Sequence, residues 1–395
     1  FGKNSRFAPF WSVGTGWNIH NEKFLKGSPF QLLKLRASLG YLGNISFEPY
    51  QALTMYTSLA GLNYIKGIGA VPMGIGNKNL KWERTLSANL GLDLTMFKGR
   101  WDFSADVYVK NTDNLLLDIT KAPSLGITTS RENVGEVENH GFEFQTRVIP
   151  IKNKDWEWSL SLNYAYNKNK IKKISNALRE QNEKNQAKGG VTPLPIYEEG
   201  QSLTALKVVS SAGIDPITGN EVFIKRDGSL TFVYDPNDKV VYGDTTPFGM
   251  GSIGSYLTYK QFSMGMSMRY SFGGAVYNQT LASKVEGADP RYNADERVFS
   301  SRWKEVGQQA KYKRISDSSV PMQTSRFVET NNYITLSSLS LAYEVPLTFI
   351  KRYGLKRLHL EMLANDLFYL SSVKRERGLS YPYERSVEFS VRLGF

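Results

Sequence analysis

The 395-residue sequence contains no cysteine and only three histidines. Without cysteine, neither a disulfide framework nor a thiolate metal site can form. The histidines are His20, His140 and His359; they fall far apart and in no metal-ligand or nucleophile-elbow pattern. Catalytic residues, metal and cofactor are therefore all expected to be absent. A hydrolase triad assembled from distant positions is the competing reading, since its members need not be close in sequence. Long apolar runs are also missing, and nothing approaches the roughly 18 residues that a membrane helix requires. Charge of one sign is not concentrated anywhere. The balance of 49 Lys+Arg against 37 Asp+Glu gives +12, but the basic residues are spread along the chain, which argues against a nucleic-acid surface.

What the sequence has instead is alternation. Leu86, Ala88, Leu90, Leu92, Leu94 and Met96 interleave with Ser87, Asn89, Gly91, Asp93 and Thr95. Trp101, Phe103, Ala105, Val107 and Val109 do the same against Asp102, Ser104, Asp106, Tyr108 and Lys110. The pattern returns at 158–167, at 262–273 and at the end, where Val387, Phe389, Val391, Leu393 and Phe395 oppose Ser386, Glu388, Ser390, Arg392 and Gly394. Period two means strands with two unlike faces. Runs of about 10 to 14 residues exceed the usual soluble strand and suit the 9–11 residues of a tilted membrane strand. The 22 Tyr, 21 Phe and 34 Gly fit aromatic girdles and frequent turns. A charged residue at mid-bilayer costs about 2–4 kcal/mol, so the polar face must look into a hydrated lumen. An open edge cannot persist in lipid, so the sheet must close. The expected fold class is all-β: part of a transmembrane antiparallel β-barrel with long extracellular loops.

Connections alternate in length. Short turns are expected at Lys98-Gly99-Arg100, Lys152-Asn153-Lys154-Asp155 and Lys260-Gln261, with somewhat longer ones at 21–30 and 346–355. Long segments run over 44–80, 111–139, 168–203, 274–332 and 371–385. Short turns belong to the periplasmic side and long loops to the outside. Counting backwards from a terminal strand that ends in the periplasm, the Trp158 strand points outward and the 248–259 strand inward. Two further membrane strands are expected between them, near 203–213 and 221–234, giving about 13 strands. Bacterial single-chain barrels have an even number, and the text opens at Phe1 already strand-like, so residues 1–395 are expected to be the C-terminal portion of a longer barrel protein. The charged stretch 168–190 is expected to hold a loop helix.

Several blocks carry a resemblance. Leu35-Arg36-Ala37-Ser38-Leu39-Gly40-Tyr41-Leu42-Gly43-Asn44, Leu80-Lys81-Trp82-Glu83-Arg84-Thr85, the block from Asn133 to Phe144, Gly213-Ile214-Asp215-Pro216-Ile217-Thr218-Gly219, Tyr270-Ser271-Phe272-Gly273-Gly274, and the stretch from Tyr333 to Pro346 are similar, in that order, to the barrel of the SusC/RagA family of TonB-dependent transporters of Bacteroidetes. The resemblance implies a Gram-negative outer-membrane location. It also implies a complete barrel of about 22 strands around an N-terminal plug. TonB would engage the plug region, which is absent from this chain; a SusD-like surface lipoprotein would lid the mouth, and the cargo would be an oligosaccharide or a peptide. Outer-membrane lipids are the remaining partner, and Phe395 would serve as the terminal aromatic assembly signal. Two readings compete with import: a SusC-like structural subunit of a larger outer-membrane or protein-export assembly, and a passive porin. Tyr333-Ile334-Thr335-Leu336 and Leu363-Ala364-Asn365-Asp366 depart from the family wording and leave the subfamily open.

Other features read as ordinary loop chemistry. Gly67-Ile68-Gly69 and Gly74-Ile75-Gly76 miss phosphate-loop spacing. Asp235, Asp238 and Asp244 offer oxygens to calcium but lack EF-hand spacing. Tyr50, Tyr56, Tyr64, Tyr292 and Trp303 can stack on sugars, line a girdle or pack loops, so none is assigned as a binding residue.

Overall fold

A computed structural model describes residues 7–44, 53–59, 69–289, 291–376 and 385–395. The chain begins with β1 (Trp11–Asn18) and β2 (Phe30–Asn44), then a separate hairpin of β3 (Met55–Leu59) and β4 (Gly69–Gly74). It continues through β5 (Glu83–Met96), β6 (Trp101–Thr120), β7 (Thr129–Lys152) and β8 (Trp156–Ile174). Helix α1 (Asn176–Ala187) follows, then β9 (Ala205–Ile214), β10 (Glu221–Ile224), β11 (Leu230–Thr231) and β12 (Lys239–Asp244). The last long strands are β13 (Gly249–Tyr259), β14 (Phe262–Tyr277), β15 (Val328–Glu344), β16 (Arg357–Ser371) and β17 (Ser386–Gly394).

Eleven of these form one antiparallel sheet in the order β1-β2-β5-β6-β7-β8-β13-β14-β15-β16-β17. The register keeps the two faces apart across many strands. One row reads Leu35, Leu92, Ala105, Phe144, Tyr164, Gly251, Tyr270 and Ile334. The adjacent row on the other face reads Arg36, Gly91, Asp106, Glu143 and Ala165. A one-residue slip would exchange these faces, so burial of one face in lipid fixes the register. Leu39, Leu90, Val107, Phe142 and Phe389 are exposed large apolar side chains of that face, as a surface solvated by hydrocarbon requires. No helix among the described residues is long and apolar enough to cross a membrane; the crossing is made by strands.

Gly251 marks a close approach between neighbouring strands. A Cβ at this position would lie 2.0 Å from the Asn163 carbonyl oxygen and 2.7 Å from the Tyr270 hydroxyl. That hydroxyl donates to the same carbonyl at 2.7 Å, so an aromatic ring covers the glycine and ties three strands together.

Two expectations need correction. The segments at 203–213 and 221–234 are not membrane strands, and among the described residues the long sheet has eleven strands rather than about 13. Outward β8 and inward β13 already pair directly, from Met250↔Ala165 to Tyr259↔Trp156. The intervening strands make a separate four-stranded sheet ordered β11-β10-β9-β12. Consecutive Lys207, Val208 and Val209 are all buried, which a strand with one lipid face cannot be, and β10 has only four residues. The second correction concerns 111–139: β6 and β7 stay paired to Thr120↔Thr129, so the loop itself is short. Beyond the membrane their apolar side chains find another cover, since Ile119 and Val134 pack with Leu178 of α1. The helix expected within 168–190 is α1, its first turn capped by Ser175 Oγ, which accepts from Leu178 N at 3.2 Å.

Candidate functional site

The polar face carries two ionic clusters. In the first, Arg36 of β2 donates Nε to Asp93 at 2.7 Å and Nη2 to Asp106 at 3.1 Å, while Ser104 Oγ donates to Asp93 at 2.9 Å. Asp106 lies two strands away, with Gly91 between them. A Cβ on Gly91 would come within 2.6 Å of the Arg36 guanidinium carbon, so only glycine lets the guanidinium lie flat across β5. Lys34 stands opposite Asp93 in the register and adds a second cation, so the cluster sets two carboxylates against two cations. The second cluster joins β15, β16 and β17. Glu344 accepts from Arg357 Nε at 2.8 Å and stands 2.8 Å from His359 Nδ1. Glu361 accepts from Arg392 at 2.7 Å. His359 thus takes a structural hydrogen bond, while His20 Nδ1 sits 3.3 Å from Leu33 N and His140 3.7 Å from Glu138. The three histidines are not brought together.

Outside the membrane, residues 175–248, 278–289 and 291–327 build a small ordered region on one rim. Its core is an ion cluster. Arg326 donates Nε and Nη2 to the two oxygens of Glu221, each at 2.7 Å, and Nη1 and Nη2 to Glu286 at 2.7 and 2.8 Å. The paired carboxylates lift its guanidinium well above the ordinary arginine range despite burial. Arg302 is satisfied by backbone alone, donating to the carbonyls of Val298, Lys313, Val285 and Glu286.

Lys239 is buried and donates its three ammonium hydrogens to the carbonyls of Asn185, Gln186 and Lys188 at 3.1, 3.0 and 2.8 Å. These are last-turn and post-helical carbonyls of α1, where a cation complements the helix dipole. Burial nonetheless pulls the ammonium down from 10.5 to about 8. Below pH 8 both folded and unfolded chains hold the proton and the burial penalty is fully carried. Between about 8 and 10.5 the unfolded chain holds more protons, so stability of this region should rise with pH through that window. Hydrogen exchange of α1 followed from pH 7 to 10 reports it, after correction for intrinsic exchange rates; Lys239→Met should flatten the slope, and an equal slope in that variant would refute the assignment.

The turn Asp215-Pro216-Ile217-Thr218-Gly219 is a packing device. Asp215 accepts from Thr218 Oγ1 at 2.6 Å and Thr218 N at 3.0 Å, and these bonds hold its carboxyl below the usual range. Trp303 Nε1 donates to the Pro216 carbonyl at 2.9 Å, so this tryptophan packs loops together. Asp235, Asp238 and Asp244 do not converge: they accept from Asn237 N, Arg226 N and Thr246 N respectively. No group of three or more His, Asp or Glu suited to a metal occurs among the described residues. Tyr56 and Tyr292 are exposed, while Tyr50, Tyr64, Gly67 and Ile68 lie outside the described residues. Phe395 stands exposed just past β17. Beside the Arg302 knot, a cavity of about 550 Å³ is lined by Ser283, Asp289, Arg291, Asp317 and Ser319 among others. Neither this cavity nor the Arg326 cluster was legible in sequence, because their members are scattered over more than a hundred positions.

The sequence profile described as "TonB dependent receptor-like, beta-barrel" matches residues 1–361. TonB-dependent receptor P3 of Formosa agariphila is 31% identical over 93% of this chain and 38% of its own length. TonB-dependent receptor SusC of Bacteroides thetaiotaomicron is 30% identical over 72% of this chain and 29% of its own length. The chain thus spans well under half of these relatives. Among solved structures, the RagAB peptide transporter superposes with a TM-score of 0.80 at 23% identity, over 94% of this chain and 41% of that one.

Proposed function

Because this chain belongs to the TonB-dependent receptor-like β-barrel family of the outer membrane, we propose that it forms the C-terminal wall of a SusC-like importer, and that no enzymatic step is carried on it. The observation that carries this reading is the continuity of the polar face. Its hydrogen-bonding side chains, Arg36, Asp93, Ser104 and Asp106 among them, run along the membrane strands, and the ordered region outside the membrane holds a polar cavity of its own. Such a wall suits a cargo rich in hydroxyl or amide groups, an oligosaccharide or a peptide. The likeness to SusC and to RagAB supports the same cargo classes and a SusD-like lipoprotein over the outer mouth. Energy would come from TonB through a plug region upstream, and Phe395 would mark the last strand for barrel assembly.

The test uses the complete protein in its own outer membrane. A strain lacking it should lose uptake of labelled oligosaccharides or of labelled peptides from a mixed panel, and the plasmid-borne gene should restore it. Restored surface assembly of other proteins, with uptake of every probe unchanged by the deletion, would instead favour the scaffold reading.

A further inference from the structure

We propose that the lipid-facing wall of β7 and β8 holds the phosphorylated headgroup of an outer-leaflet glycolipid, with Lys168, Lys170 and Lys172 as its cationic contacts. The strand directions set the depth. β8 starts at the short-turn end with Trp156, whose ring lies 4.1 Å from that of Tyr259, a pairing suited to the inner interface. Tyr166 lies ten residues further along β8. At about 3.3 Å per residue and a tilt of about 45°, that is a rise of about 23 Å, close to the height of a barrel's apolar band. There the same face carries a second aromatic group: Phe142 lies 5.5 Å from Tyr164 and 5.6 Å from Tyr166. This is the outer interface.

The face continues upward with lysine. Tyr166 pairs with Phe142, Lys168 with His140 and Lys170 with Glu138, so alternation keeps both lysines above the aromatic group and outside the barrel. The opposite face of β8 is occupied, since Asn169 Oδ1 turns away to accept from Leu203 N at 2.6 Å. Lys168, Lys170, Lys172 and Lys173 are all exposed. Of the acids beside them, Glu199 is taken up by Ile174 N at 3.2 Å and by Arg179 at 3.1 Å. Glu138 takes Lys172 at 2.8 Å and Glu136 lies 3.9 Å from Lys173, while Lys168 and Lys170 form no salt bridge among the described residues. The lysines climb β8 directly above the aromatic anchor, over about 9 Å from Lys168 to Lys172 at about 3.3 Å per residue and a tilt of about 45°. Acyl chains against Phe142 and Tyr166, with phosphate against the lysines a few ångström higher, satisfy both halves of the surface.

The complete protein, extracted from outer membranes in mild detergent and freed of lipid, would be titrated with diphosphorylated lipid A and with the same lipid after phosphatase treatment, using native mass spectrometry. The phosphorylated lipid should bind at least fivefold more tightly, and raising salt from 0.05 to 0.5 M should reduce that advantage. A triple Lys168→Gln, Lys170→Gln, Lys172→Gln variant should lose the preference, whereas Lys225→Gln with Lys304→Gln on exposed outer loops should keep it. Equal binding of both lipids by the unaltered protein would overturn the proposal even if the triple variant failed to fold. An undiminished preference in a folded triple variant would overturn it as well.

Discussion

Arg326→Ala is expected to destabilise the outer region by about 3–5 kcal/mol, the cost of breaking a buried ion pair from one side. The side chain is 10% exposed and faces Glu221 at 4% and Glu286 at 0%, so removing it leaves two buried carboxylates without the cation that forks to both. The three residues come from β10, from the segment Leu281–Glu286 and from the turn just before β15, so the loss should loosen all three at once. Hydrogen exchange on the purified complete protein would show amides of β10 and 281–286 exchanging faster while β5 to β7 stay protected. Arg326→Lys keeps the charge but cannot fork to both acids, and an intermediate effect is expected. Unchanged exchange in the alanine variant would mean that the cluster does not hold the region together.

The second expected result separates the two faces of the wall by one residue. Leu90 is 52% exposed and lies between Ala37 and Val107 on the apolar face. Leu90→Arg near the middle of β5 should cost about 2–4 kcal/mol in a lipid-embedded barrel. Asn89, its neighbour, pairs with Ser38 and Tyr108 on the polar face, where arginine stays hydrated and Asn89→Arg should cost far less. Urea unfolding of the complete protein in lipid vesicles measures both. Equal costs would mean that the assignment of faces is wrong.

Much of this was readable from alternation alone. The faces of β5, β6 and β14, the short turns and the helix after β8 all follow from local pattern, because period two and a charged stretch are local properties. The eleven-strand count was not readable. Direction counting permits zero or two strands between β8 and β13, and the β-rich text at 205–214 favoured two; only the burial of adjacent Val208 and Val209 reveals a strand enclosed on both sides. The long ladder of β6 and β7 was hidden for a related reason. Leu115, Leu116 and Leu117 break strict alternation, because part of that stretch is covered by α1 rather than by lipid. The ionic clusters depend on register between distant strands, which spacing in one sequence does not encode. Gly91 is an instance: its need for glycine appears only once Arg36 is seen crossing it.

The insertion of residues 175–248 between β8 and β13 has a consequence for how fast the wall can be built. Most neighbouring strands are joined by turns or modest loops, and β13–β14 closes across only Lys260 and Gln261. The β8–β13 seam must instead wait for a long segment to bring its ends together. In a flexible-chain estimate about five doublings of loop length separate these closures, on the order of 3 kcal/mol of lost entropy. Prior folding of the insert reduces that loss: Gly200 N donates to the Ile171 carbonyl at 2.8 Å, and Thr245 N donates to the Thr204 carbonyl at 3.0 Å, drawing the far end of the insert back to the top of β8. The region outside the membrane thereby acts as a clasp during assembly, and damage to it would register first as slow zippering of a sheet whose own strands are intact.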